Sequence, residues 1–311
     1  MRRYFDDERA TFGFHQGPKS FFVEEIPATR WSHKGGYLIL KLQKRGLSTW
    51  QVVDLLARHL DQRVTYAGLK DKNATTIQYL SIPKSGYKAL KRFYHPNIQI
   101  LETFLHNRPL KIGDLAGNRF VITLKHPSAN LFALATREAQ RGVPNYFGYQ
   151  RFGPKSLDQA RKILDGELFI KDRRLENFLL KSYQSSLFNR WLAHRVLLDS
   201  GGFKRLEGDV YQSPRGYFSS PQILKDHIPT GLLPGSRVFL ARGRAREIER
   251  LYDEALPLAG ARREALFFPK DLDVSLGGGK ARMEFVLPKG SYATIFLESL
   301  IKRELTHKGI K

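Results

Sequence analysis

The sequence predicts an α+β fold, and three observations carry that expectation. Strand and helix patterns alternate through the first half of the chain. After Pro154 the pattern turns helical and then irregular, and from Glu264 onward strand patterns return. Such a layout describes a mixed core whose last strand and helix arrive late, with a helical module inserted between.

The elements follow in order. Phe21 to Ile26 and Tyr37 to Leu42 have strand patterns, the second by its alternating Leu38, Leu40 and Leu42. Ser48 or Thr49 caps a helix running to Leu60, with Val52, Leu55, Leu56 and Leu60 on one face and Asp54–Arg58 as an i,i+4 pair. Val64 to Ala67, Ile77 to Ile82, Ile98 to Phe104 and Arg119 to Lys125 follow as strands. Asn130 to Gln140 is a helix, with Gly142 placed to close it. Ser156 opens a short helix ended by Gly166, and a long one spans Leu175 to Leu198 before Gly201 and Gly202. Asp209 to Arg244, rich in Gly, Pro and Ser, is expected to be irregular, and Arg246 to Glu254 forms a short charged helix. Phe267 to Val274 and Met283 to Val286 are strands, and a last helix covers Ala293 to Leu305.

Composition narrows the function. The 311 residues include 52 Lys and Arg against 30 Asp and Glu, a net charge of +22. A surplus of that size repels itself and calls for a polyanionic partner, with nucleic acid first because each neutralised phosphate releases counterions. No long apolar run or basic amphipathic anchor points to a membrane. Cysteine is absent, which excludes disulfides, thiolate catalysis and Cys-ligated metal and suits a cytoplasmic protein. The nine histidines are scattered, with no pair at helical ligand spacing. The opening MRRYFDDERATFGF lacks the apolar stretch of a secretory leader.

The segment Gly68 to Gln78, GLKDKNATTIQ, places Asp71 between two strands and between Lys70 and Lys72. One reading is a solvated hairpin tip. The other is a functional carboxylate, kept ionised by cations that depress its pKa. Small residues Gly68 and Ala74, with Thr75 and Thr76, would let an RNA backbone approach.

That segment resembles the G-x-K-D-x-x-A-x-T-x-Q signature of the TruD family of tRNA pseudouridine synthases, at Gly68, Lys70, Asp71, Ala74, Thr76 and Gln78. Further resemblances follow in the family's order. They are PKSFFVEEIP at 18–27, with Ser20 where Asp is usual, LAGNRF at 115–120, VPNYFGYQRFG at 143–153, the helix residues Tyr183, Leu187, Phe188 and Asn189, and LPKGSYAT at 287–294.

The resemblance implies a pseudouridine synthase-like mixed core, with a central, largely antiparallel sheet flanked by helices. It also implies a discontinuous catalytic domain, 1–155 and 260–311, and a mainly helical α+β TRUD-type domain inserted at 156–259. It implies an isomerase, an intramolecular transferase, that converts uridine to pseudouridine in tRNA at position 13 of the D-arm. Such an enzyme takes tRNA as its partner, needs no cofactor, metal or membrane, and is expected to be a cytoplasmic monomer. Asp71 matches the catalytic carboxylate, able to hold one fragment while the base turns over. Phe120 matches the aromatic that stacks on a flipped-out uridine, and Asn118 the residue that hydrogen-bonds it. Phe21 and Tyr292 match two more aromatic positions of the pocket, and Lys70 joins the substrate-binding set as the cation beside Asp71.

Each residue keeps a plainer alternative. Phe120, Phe21 and Tyr292 are core residues on that view, and Asn118 a turn residue. The Tyr146, Phe147, Tyr149 and Phe152 segment is either an RNA-binding surface or structural support. The cation that pairs with Asp71 is left unassigned. The family keeps a Lys where His15 stands here, and His15, Lys19 and Lys70 are the alternatives. The GGGK run at 277–280 lacks the P-loop spacing and is a hairpin between two strands. The basic cluster Arg242, Arg244, Arg246 and Arg250 is either a solvated face or a phosphate contact. The rival function is a non-catalytic RNA-binding or RNA-folding factor on the same scaffold, which would have no need of the motif around Asp71.

Overall fold

A computed structural model describes residues 4–199 and 201–305. The chain runs β1 (Phe21–Pro27), β2 (Tyr37–Arg45), α1 (Thr49–Leu60), β3 (Thr65–Tyr66), β4 (Thr75–Pro83), α2 (Tyr87–Leu90), β5 (Ile98–His106), β6 (Leu115–Lys125), α3 (Leu131–Arg141), β7 (Val143–Pro144), α4 (Ser156–Leu164), α5 (Arg173–Leu197), β8 (Val210–Ser213), β9 (Gly216–Ser219), β10 (Pro229–Leu233), α6 (Gly243–Glu249), β11 (Ala261–Glu264), β12 (Leu266–Phe267), β13 (Lys270–Gly277), β14 (Lys280–Pro288) and α7 (Ala293–Ile301). It divides into two compact units. One holds the described residues of 12–128 and 269–290, the other those of 4–11, 129–268 and 291–305.

The first unit is built on an eight-stranded sheet in the order β13-β14-β6-β1-β4-β2-β5, with β3 added on β4. Its pairs are antiparallel except β1–β4, which is parallel. The hydrophobic pattern fixes which face is covered. Leu38, Leu40 and Leu42 on β2 and Leu80 and Ile82 on β4 are buried with Val52, Leu56 and Leu60 of α1. Each such side chain contributes about 1.5–3 kcal/mol by leaving water. β4 carries buried residues on both faces, because Ile39, Tyr79 and Leu110 form a second cluster on the other side. Helix α1 opens with a reciprocal capping box in which Ser48 and Gln51 satisfy each other's backbone N–H groups. The GGGK run is a two-residue hairpin turn between β13 and β14, with Gly278 and Gly279 both at positive φ, as such turns require.

The second unit packs a four-stranded sheet, β11-β10-β8-β9, with the 25-residue helix α5. The expectation of irregular chain over 209–244 is corrected here: three of those strands, β8, β9 and β10, lie within it. They are four or five residues long and interrupted by Gly and Pro, so no alternation is long enough to register. Inside this unit Arg195 and Asp209 form a buried two-pronged ion pair at 2.7 and 3.0 Å. The expected strand from Phe267 to Val274 is also corrected. It breaks at Phe268–Pro269 into β12, which pairs with β7, and β13, because proline cannot donate to a continuing ladder.

Candidate functional site

The site is read from the sheet register of the first unit. Lys44 on β2 pairs with Thr76 on β4, Thr76 with Val23 on β1, Val23 with Phe120 on β6, and Phe120 with Phe285 on β14. Paired residues share a face, so this row carries a cation, a hydroxyl and two stacked rings across five strands. In the adjacent row Glu25 pairs with Asn118, and Asn118 with Leu287. Gln78 lies two residues beyond Thr76, on the same face. Glu25, Lys44, Thr76 and Gln78 are all buried, a polar island on a sheet face that otherwise carries apolar side chains.

The loop carrying Asp71 is tied down over this island at three points. The Lys44 ammonium donates to the backbone carbonyls of Leu47 and Asp71, each at 2.7 Å. Lys70 reaches the Glu25 carboxylate in an ion pair whose two side chains are both buried. The Lys70 backbone N–H donates to the Thr49 hydroxyl at 2.9 Å, and that hydroxyl donates to Gln78 Oε1 at 3.0 Å. Asp71 is therefore no solvated hairpin tip. It is half-buried, and no hydrogen bond from the described residues reaches its carboxylate.

Burial dominates its electrostatics and pushes the Asp71 carboxyl above its ordinary value, with Lys44 and Lys70 pulling the other way. The sequence expectation of a depressed pKa is thereby corrected, because desolvation outweighs the two cations. Burial likewise lowers the Lys44 ammonium to about 8, against the attraction of Asp71. Glu25 is raised by burial in spite of Lys70.

Three buried polar atoms on this face have no hydrogen-bond partner among the described residues: Thr76 Oγ1, Gln78 Nε2 and Asn118 Oδ1. Buried polar groups in folded proteins are almost always paired, so three together mark a place built to receive a polar ligand. Phe120 and Phe21 are both buried. Phe120 stacks on Phe285 at 5.6 Å and meets the Phe21 ring edge-on at 5.9 Å. Ala74 and Thr75 are buried too, with the Thr75 hydroxyl donating to the Pro18 carbonyl at 2.8 Å, so neither offers a surface for an RNA backbone. Gly117, in the LAGNRF element, has a close-approach reason: a Cβ built there would overlap the carbonyl oxygen of Leu287 on β14.

The structure thus brings together Asp71, Lys70, Asn118, Phe120 and Phe21. Tyr292 is in the other unit, preceding α7, with its ring edge-on to Phe147 at 6.3 Å. There the 143–153 segment is bound into its surroundings. The Phe147 N–H donates to Asn189 Oδ1 at 2.9 Å, and Asn189 Nδ2 donates back to the Phe147 carbonyl at 3.0 Å. The Arg263 guanidinium lies 4.1 Å from the Phe147 ring centroid and donates to the Asn145 carbonyl at 2.9 Å. Burial lowers Arg263 to about 10, with Tyr292 acting to raise it. These contacts give the segment a structural role.

Sequence reasoning missed Lys44, Glu25 and Arg263. Lys44 had one available signal: it continues the Leu38, Leu40, Leu42 alternation, which puts a lysine on a buried face. Among the described residues no group of His, Asp or Glu could hold a metal ion, and no helix is long and apolar enough to cross a membrane.

The family model described as tRNA pseudouridine synthase D (TruD) matches residues 1–168 and 166–300. A protein named tRNA pseudouridine synthase D from Wolinella succinogenes is 37% identical, over 97% of this chain and 98% of its own length. One of the same name from Sulfurimonas denitrificans is 34% identical, over 98% of this chain and 100% of its own. A solved structure from Methanosarcina mazei that carries the TruD name matches with a TM-score of 0.68 at 24% identity, over 97% of this chain and 96% of that one. That likeness speaks for the fold.

Proposed function

The chain belongs to the tRNA pseudouridine synthase D (TruD) family, and from that premise we propose that it isomerises uridine to pseudouridine in tRNA, at position 13 of the D-arm, with Asp71 as nucleophile. One observation carries the assignment of Asp71: a half-open carboxylate that receives no hydrogen bond from the described residues, held by its own backbone over a face whose Thr76, Gln78 and Asn118 each keep a polar atom without a partner among them.

The chemistry follows from those groups. The uridine leaves its stack, and unstacking is the cost of reaching its glycosidic bond. Asn118 Oδ1 accepts from the uracil N3–H or a ribose hydroxyl, and Phe120 and Phe21 supply aromatic surface for the base. Asp71 attacks, the C1′–N1 bond breaks, the base turns, C1′ bonds to C5, and the bond to Asp71 breaks to restore the carboxylate. The C5 proton is lost and N1 gains one, so the product is an isomer and no electrons change hands. Attack at ribose C1′ and addition at uracil C6 both use this carboxylate. The net charge of +22 fits a tRNA partner.

The reading carries with it a cytoplasmic monomer working without a cofactor. It also carries a catalytic domain of 1–155 and 260–311 around an inserted TRUD-type domain at 156–259, the stretch that holds α4, α5 and α6 together with the strands β8, β9 and β10. The test is conversion of an unmodified tRNA transcript, followed by position-resolved mapping of pseudouridine. Modification at position 13, lost when that uridine is replaced by cytidine, supports the proposal. Tight binding with no modification anywhere supports a non-catalytic RNA-binding factor instead.

A further inference from the structure

Lys44 is a fully buried lysine whose ammonium satisfies two backbone carbonyls, those of Leu47 and Asp71, both at 2.7 Å. An ammonium has three donors, so one N–H is left over. No ion pair among the described residues takes up its charge. A buried charge is tolerated only beside an opposite one. The polar island and its loop hold two cations, Lys44 and Lys70, and two carboxylates, Glu25 and Asp71. Glu25 is committed to Lys70, which leaves Asp71 as the counter-charge of Lys44. The other cations the sequence offered, His15 and Lys19, are exposed, and the charges acting on Asp71 are those of Lys44 and Lys70.

We propose that Lys44 is the positioning residue of Asp71: it clamps the Asp71 main chain through the carbonyl and supplies the charge that keeps the carboxylate ionised for attack. The inference rests on the reading of Asp71 as nucleophile. It fills the place that His15 leaves open, and does so from β2. Register explains how: Lys44 pairs with Thr76 on β4, the strand that the Asp71 loop leads into.

The test is the pH dependence of turnover on tRNA by the full chain carrying Lys44→Met or Lys44→Arg. Lys44→Met is expected to lower kcat at least about tenfold with KM for tRNA nearly unchanged. It should also raise the acid limb of the profile by about one unit or more, the effect expected for loss of a nearby opposite charge. Lys44→Arg, which keeps the charge, should return the limb toward its wild-type position. A folded Lys44→Met with the wild-type acid limb overturns the proposal. Should Lys44→Met not fold, the Lys44 ammonium is titrated by NMR in the wild type and in Asp71→Asn. A lower Lys44 pKa in Asp71→Asn supports the pairing, and equal values overturn it. Full turnover by Asp71→Asn would instead sink the nucleophile reading, a separate result.

Discussion

Glu25 on β1 neutralises Lys70, the residue immediately before Asp71, and both side chains are buried. That pair shapes the electrostatics of the site, because Glu25 shares with Asp71 one of the two cations, Lys44 and Lys70, that act on it. Breaking it by Glu25→Gln leaves the Lys70 ammonium buried without an anion. The expected loss is about 3–5 kcal/mol of stability, measured as a lower urea midpoint. An unchanged midpoint would mean the pair is not closed in solution.

The two shifted groups set a pH window. Asp71 must be ionised to attack, and burial raises its pKa, so the acid limb of kcat/KM should lie above the ordinary carboxylate range. Lys44 must be charged, and its ammonium titrates at about 8, so an alkaline limb is expected near that value. Stability runs the opposite way for Asp71. A carboxyl with a raised folded-state pKa binds its proton more tightly folded than unfolded, so its ionised form is a cost at neutral pH. Asp71→Asn removes that cost but leaves the buried Lys44 ammonium without its counter-charge, so the variant's denaturation midpoint relative to wild type should rise as the pH passes about 8, where Lys44 loses its proton. A difference between the two proteins that does not change across that range would contradict the assignment.

Gly117 should not tolerate a side chain. A Cβ there overlaps the Leu287 carbonyl on the paired strand β14, and Asn118 is the next residue. Gly117→Ala is expected to push the strands apart, costing about 1–3 kcal/mol as overpacking does, and to misplace Asn118. Thermal denaturation and turnover should both fall. Wild-type values for both would show that the strands part freely there.

Much of this was legible in the sequence. The alternation Leu38, Leu40, Leu42 gave the buried face of β2, the Ser48 cap gave the start of α1, and Phe120, Ile122 and Leu124 gave the buried face of β6. What stayed hidden depended on partners distant in sequence. Glu25 and Lys70 stand 45 residues apart, and nothing local announces their pairing. Lys44 was passed over because a lysine ending an apolar alternation is ordinarily a strand reaching solvent. The short strands of 209–244 were hidden because their Gly and Pro residues carry turn signals at the same spacing as the strands.

Phe120 serves the core through Phe285 and Phe21, so its role toward the base must be separated from packing. Phe120→Leu keeps most of the apolar volume. Loss of a base-stacking face is worth about 1–3 kcal/mol, or about 5- to 150-fold in kcat/KM. Activity should fall by that factor while the thermal midpoint changes little. Equal losses in stability and activity would make Phe120 a core residue alone.

The central claim is that Asp71 performs the isomerisation. The most direct measurement is pseudouridine formation on tRNA by wild type and Asp71→Asn, with binding measured on the same samples. The expected result is conversion by the wild type, none detectable by Asp71→Asn, and equal affinity for tRNA. Equal conversion by both proteins would contradict the account.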